Sequence, residues 1–206
     1  MHENLKQPLE INYSPLAKLI ADRIQQQGAI SVADYMALAL GHREHGYYTA
    51  GNPFGAAGDF VTAPDVSQMF GEMIAAWLAD IWQQMGRPKD VKLVELGPGR
   101  GTLAADIMRV ISNWPDFKSA VTLHLVETSQ KLRDIQRNVL KDQPVFWYDY
   151  FSEIPDGICF VIANEFFDAL PVRQFQKMNG GWKERCVGYN SKSNTFCFTT
   201  GADSSV

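Results

Sequence analysis

Val94-Glu95-Leu96-Gly97-Pro98-Gly99-Arg100-Gly101-Thr102-Leu103 closes an apolar run and decides the fold class. Its order is that of a strand leaving a sheet, a glycine-rich turn, and a helix beginning near Thr102. Glycines let a ligand approach bare backbone beside the positive end of that helix, so the turn is a candidate nucleotide site. A turn that holds a dinucleotide diphosphate has the spacing Gly-x-Gly-x-x-Gly, and its third glycine position is Thr102 here. The spacing present is Gly97, Gly99, Gly101, with Glu95 two residues ahead of the first glycine. A carboxylate aimed at this pocket repels a diphosphate. It suits S-adenosylmethionine, which carries a sulfonium and an ammonium and no phosphate.

Outward from the turn the chain alternates. Residues 91–96, 121–126, 145–147 and 158–163 read as strands, and 103–111 and 129–140 as helices. This βαβαβ order predicts an α/β fold, a parallel sheet with helices on both faces. Residues 172–178, 182–189 and 195–199 alternate and are separated by Asn179-Gly180-Gly181 and residues 190–194, as in antiparallel hairpins. Ahead of the turn, Ser14-Pro15 starts a helix whose stripe Leu16, Leu19, Ile20, Ile24 ends before Gly28. Ser31-x-x-Asp34 opens a second, running to about Leu40. A glycine-rich loop, residues 51–58, precedes the longest helix, capped within residues 65–68 and stopped by Gly86 and Pro88. Its Met69, Phe70, Met73, Ile74, Trp77, Leu78, Ile81, Trp82 and Met85 form one broad apolar face, assigned to core.

With 206 residues, 46% of them hydrophobic and 12% aromatic, the chain can bury a sizeable core. A net charge of −4 gives no general attraction to nucleic acid or an anionic membrane. Cys159, Cys186 and Cys197 are odd in number and lack C-x-x-C spacing, which fits buried or unreactive thiols in a reducing compartment. No basic start leads into an apolar stretch, Glu3, Glu10 and Asp22 oppose an organellar presequence, and no apolar run approaches the ~20 residues that span a bilayer. The expected location is cytoplasmic. His42 and His45, near Glu44, lack a third ligand at metal spacing and read as loop residues, so no metal is expected.

Ligands of an open parallel sheet lie beyond the carboxyl ends of its strands. Glu127 ends the second strand and is placed to grip both hydroxyls of a ribose, or else it is a solvated acid that opens the next helix. Asp149, after the third strand, is placed to reach an adenine amino group, or is a turn residue of Tyr148-Asp149-Tyr150. The fourth strand runs into Asn164-Glu165-Phe166-Phe167-Asp168-Ala169-Leu170-Pro171. If Glu165 and Asp168 sit on one helical turn, both carboxylates face one cationic substrate, for which a guanidinium is the natural candidate. The aromatics would exclude water, and methyl transfer from a sulfonium needs mainly alignment and desolvation. The plainer alternative makes Asn164 or Glu165 a helix cap and Asp168 a solvated acid. Gly58-Asp59-Phe60-Val61-Thr62-Ala63-Pro64-Asp65 is a polar loop that folds over the pocket or merely enters the long helix.

Together these residues resemble the MidA-type methyltransferases, the family that includes the mitochondrial complex I assembly methyltransferase. The resemblance runs over Gly46-Tyr47-Tyr48, Gly58-Asp59-Phe60-Val61-Thr62, Phe70-Gly71-Glu72, the stretch from Glu95 to Gly101, and the stretch from Asn164 to Pro171. It implies a Rossmann-like S-adenosylmethionine fold with an N-terminal helical extension: residues 1–88 as the extension and 89–206 as a partial methyltransferase domain. It implies methylation of a protein arginine, a respiratory-complex subunit being the substrate of the mitochondrial member. The site would comprise Gly97, Gly99 and Gly101 in the turn and Glu95 at the methionine ammonium. Glu127 would take the ribose, Asp149 the adenine, and Asn164, Glu165 and Asp168 an arginine. Family members are longer, so sheet strands are expected to be missing, with a homodimer or a C-terminal partner covering the exposed edge. Two rivals stand beside this reading. One is a non-catalytic assembly protein of the same fold. The other is a nicotinamide-dependent oxidoreductase, opposed by Glu95 and Thr102.

Overall fold

A computed structural model describes residues 14–50 and 63–203. They form two compact units: Asn52–Ala169, and a unit that joins Met1–Gly51 to Leu170–Val206. The division differs from the expected boundary after residue 88.

The chain enters through α1 (Pro15–Gln27), where the Ser14 hydroxyl accepts the Ala17 N–H and Gly28 at φ 86° ends the helix. A two-residue strand β1 (Ile30–Ser31) leads into α2 (Val32–Gly41). Ser31 caps it reciprocally: its oxygen accepts the Asp34 N–H at 2.9 Å while its hydroxyl donates to Asp34 Oδ2 at 2.7 Å. A short helix α3 (Tyr47–Ala50) follows. The glycine-rich loop 51–58 and the block from Gly58 to Thr62 lie outside the described residues.

The second unit begins with α4 (Ala63–Val66) and α5 (Gln68–Gln84), the latter capped by Ser67. Strand β2 (Val91–Leu96) is followed by α6 (Thr102–Ile111), α7 (Pro115–Ala120) and β3 (Val121–Val126). Then come α8 (Gln130–Val139), β4 (Val145–Tyr148), a 3-10 turn at Phe151–Glu153, and β5 (Ile158–Ile162). The four strands are parallel in the order β4-β3-β2-β5. Val91, Leu93, Val121, Leu123, Leu125 and Phe160 face one way and share a core with α5, α6, α7 and Leu140. Lys92, Val94, Thr122 and His124, at alternate positions, face the other way. Among the described residues of this unit, the helices expected on both faces are found on one. Right-handed crossovers that step from β2 to β3 to β4 place α6 and α8 on the same side, and the return from β4 to β5 contains a 3-10 turn and no α-helix.

Helix α5 corrects a second expectation. Leu78 and Trp82 are buried and Phe70, Ile74 and Ile81 are partly buried, but Met69, Met73 and Trp77 are 66%, 65% and 62% exposed and Met85 is also exposed. The buried row is Gly71, Ala75 and Ala79. Small residues let α5 approach α6 closely: a Cβ on Gly71 would stand 2.7 Å from Asp106 Cβ. Glu72 then reaches Arg109, which also holds Asp106.

After residue 169 the chain returns to the first unit as β6 (Phe175–Met178), β7 (Gly181–Asn190) and β8 (Thr195–Asp203), antiparallel hairpins as expected. They were expected within the methyltransferase domain. Instead β7 also pairs with β1, Ile30 opposite Val187, and a separate core of Ile20, Ile24, Ile30, Val32 and Val187 forms. Of the three cysteines, all free, Cys186 is buried, Cys159 half-buried and Cys197 exposed, so burial holds for one. No described helix is long and apolar enough to cross a membrane.

Candidate functional site

The strand order reverses direction at β2, with β3 on one side and β5 on the other. Such a switch point opens a crevice at the carboxyl ends of the strands. Asp149 follows β4, Glu127 follows β3, Glu95 and the glycine turn end β2, and Asn164 follows β5. The fold thus collects the acids and the turn on one edge of one sheet.

The turn itself is left-handed at each glycine, with φ 62° at Gly97, 53° at Gly99 and 83° at Gly101. Side chains there would be strained, which accounts for the spacing. Gly97 N–H is tied to the Val126 carbonyl, and Gly101 N–H turns back to the Pro98 carbonyl. Gly101 also begins α6, and no side chain caps that end.

Glu95 lies beneath the first turn of α6. It is 4% exposed, one oxygen accepts the Ala104 N–H, and Oε2 has no partner. Burial pushes its pKa up to about 8, only partly offset by the Ala104 hydrogen bond. A buried carboxyl with a free oxygen beside a glycine turn can accept a cationic N–H group.

Glu127 is also buried, and burial raises its pKa against the hydrogen bonds that favour its charged form. Oε1 accepts the Ser129 N–H at 2.8 Å, so the acid does help open α8; Oε2 lies 3.5 Å from the Gln136 amide nitrogen. Asp149 is engaged as well: Arg133 donates to its Oδ1 at 2.7 Å and to the Glu127 carbonyl at 2.6 Å, lacing the ends of β3 and β4.

The segment after β5 departs from the helical turn expected of it. Glu165 is left-handed, φ 47°, and only Asp168 belongs to the 3-10 turn Phe167–Ala169. Both carboxylates are exposed and Asn164 is half-buried. The kink at Glu165 breaks the three-residue helical register between the acids and sends Phe166 inward instead. Its ring covers Gly97, where a Cβ would meet Phe166 Cδ2 at 2.6 Å.

Two residues central to this edge, Gln136 and Arg133, were not singled out from the sequence. A signal existed: Gln136 interrupts the apolar row from Leu132 on α8 to Leu140 at its C-terminal cap, which marks a buried polar group with a task.

A family described as "Putative S-adenosyl-L-methionine-dependent methyltransferase" matches residues 73–206. The chain belongs to this family. It is 39% identical over 194 residues to the mitochondrial protein arginine methyltransferase NDUFAF7 of Xenopus laevis, covering 82% of this chain and 44% of that protein. With human NDUFAF7 it shares 37% over 202 residues, 86% of this chain and 46% of the relative. The chain spans about half the length of the curated relatives it matches. Among solved structures, a COG1565 superfamily member from Burkholderia thailandensis bound to S-adenosyl-homocysteine superposes with a TM-score of 0.76 at 28% identity. That match covers 93% of this chain and 50% of the other. The Rossmann-like methyltransferase class is therefore the fold of this chain. The expected cytoplasmic location is overturned, because the curated relatives are named as mitochondrial proteins.

Proposed function

We propose that this chain carries the cofactor-binding part of an S-adenosylmethionine-dependent methyltransferase that acts on a protein arginine. The observation that carries the reading is the unpartnered, buried Glu95 Oε2 beneath the Gly97–Gly101 turn. A diphosphate finds an acid there, whereas the ammonium of S-adenosylmethionine finds the acceptor it needs. The donor set fits the rest of the cofactor. Glu127 holds the ribose hydroxyls, and Asp149 offers its second oxygen to the adenine amino group. The glycine backbone admits the ligand beside the open end of α6.

The cofactor supplies a methyl group on a sulfonium. The chain's residues align and desolvate the acceptor: Asn164, Glu165 and Asp168 take the planar guanidinium by charge-assisted hydrogen bonds, and Phe166 and Phe167 keep water away. The relatives' names, protein arginine methyltransferase, support this substrate class. Strand β5 is one of the two edges of the described sheet, with Val161 47% exposed, and a second copy or a C-terminal polypeptide would pair there.

The test is a calorimetric titration of the chain with S-adenosylhomocysteine and, in parallel, NADH. Saturable binding of the first alone, weakened about tenfold or more by Glu127→Ala through loss of a charged hydrogen bond, supports the reading. Binding of NADH alone, or of neither ligand by a folded sample, overturns it.

A further inference from the structure

Gln136 is completely buried, and its amide meets three separate segments of the sheet edge. Its nitrogen donates to the Gly99 carbonyl at 2.8 Å and lies 3.5 Å from Glu127 Oε2. Its oxygen accepts the Trp147 indole N–H at 2.8 Å. The orientation of the amide is not free. An indole N–H only donates, so the amide oxygen must face Trp147 and the nitrogen must face Gly99. Its Cγ also underlies the turn, 3.3 Å from where a Cβ on Gly101 would sit.

We infer that Gln136 is a positioning residue that sets the backbone shape of the glycine turn and, through it, the affinity for the adenosyl cofactor. The strand β4 fixes the amide through Trp147; the amide fixes Gly99. The Gly99 carbonyl is thereby held down toward α8, which leaves the opposite side of the turn for the ligand. A hydrophobic residue at position 136 would bury the Gly99 carbonyl and the Trp147 indole without partners. Glutamate would keep the indole acceptor and the volume but replace the donor by an oxygen facing both Gly99 and Glu127. The two substitutions therefore separate the turn from general packing.

The inference rests on the proposed cofactor reading for its effect on affinity, and its effect on the turn is measurable without ligand. Gln136→Met and Gln136→Glu are compared with the unaltered chain by amide and indole hydrogen exchange and by titration with S-adenosylhomocysteine. In Gln136→Glu the Trp147 indole stays protected, while the Gly97 and Gly101 amides, which are hydrogen-bonded to Val126 and Pro98, exchange about tenfold faster and affinity falls about tenfold. In Gln136→Met both the indole and the turn lose protection. Turn amides unchanged in both variants, or accelerated only in step with Leu123 and Leu125 of β3, overturn the inference. If Gln136→Met does not fold, Gln136→Glu alone decides. If the unaltered chain takes up no S-adenosylhomocysteine, the cofactor reading fails while the exchange comparison still judges Gln136.

Discussion

Phe166 lies against the first glycine of the turn: a Cβ on Gly97 would stand 2.6 Å from its Cδ2 and 3.2 Å from its Cε2. The contact joins the carboxyl end of β2 to the segment that follows β5, so the glycine turn and the candidate acceptor segment are packed as one edge. The left-handed Glu165, φ 47°, aims the ring. Such a conformation in a non-glycine residue costs of order 1–3 kcal/mol and persists where surrounding contacts enforce it.

Gly97→Ala therefore meets two obstacles, a clash with the ring and a strained φ of 62°. Overpacking of this kind costs about 1–3 kcal/mol, and the displaced turn loses cofactor affinity by about tenfold or more. Phe166→Ala in the same chain relieves the clash but not the backbone strain. Thermal unfolding and S-adenosylhomocysteine titration of the two single variants and the double variant should show a partial, non-additive rescue. Strict additivity would mean that the ring is not what excludes the methyl group.

Glu95 predicts the direction of a pH dependence. Its pKa is about 8 in the folded chain against an ordinary 4.5, so between those values the folded state holds a proton that the unfolded state has lost. Stability contributed by this group is full below about pH 4.5, declines as pH rises, and is lost above about pH 8; Glu127, also raised, acts in the same sense. The loss is on the order of a few kcal/mol, and Glu95→Gln removes most of the slope in chemical denaturation across that range. A cationic ligand reverses the preference by stabilising the carboxylate. S-adenosylhomocysteine binding near pH 7 should release close to one proton, read as a dependence of binding heat on buffer ionisation enthalpy, and Glu95→Gln should abolish the release.

Gly71→Ala tests the α5–α6 packing. The added methyl would stand 2.7 Å from Asp106 Cβ, an atom rooted on a buried helix that cannot swing aside. Alanine gains roughly 0.5–1 kcal/mol of helix preference over glycine, but the overpacking costs about 1–3 kcal/mol, so the substitution is net destabilising. The melting temperature should fall by a few degrees. A raised melting temperature would show that α5 stands farther from α6 than the geometry gives.

The parts of this fold legible in the sequence are those fixed locally. Ser14 and Ser31 cap the helices that their positions foretold, and the strands at β2, β3 and β5 stand where apolar runs meet turns. What escaped depends on distant partners. The face of α5 was chosen by close approach through Gly71, Ala75 and Ala79, which hydrophobicity ranks below Met69, Met73 and Trp77. The pairing of β1 with β7 joins Ile30 to Val187, beyond any local signal. The left-handed turn at Gly97, Gly99 and Gly101 and the strand-end places of Glu95 and Glu127 were readable, because glycine spacing and the ends of apolar runs are local signals. The helical register assumed for Glu165 and Asp168 was not, because a single left-handed residue re-aims everything after it.

Asp168 and Asp149 should separate acceptor from cofactor function. Asp168 is exposed and stands outside the hydrogen bonds that lace the sheet edge, whereas Asp149 is paired to Arg133, which also grips the Glu127 carbonyl. Asp168→Asn leaves S-adenosylhomocysteine affinity within about twofold but, by weakening a charge-assisted contact to a guanidinium, reduces methyl transfer to an arginine peptide about tenfold or more. Asp149→Asn keeps an acceptor for Arg133 but loses the ion pair, so its effect falls on cofactor affinity. The pair is partly exposed and its contribution to stability is small, about 1 kcal/mol or less. The measurement is a peptide methylation assay beside the calorimetric titration. Equal loss of both properties in Asp168→Asn would move that residue into the cofactor pocket, and loss of neither would remove it from the site.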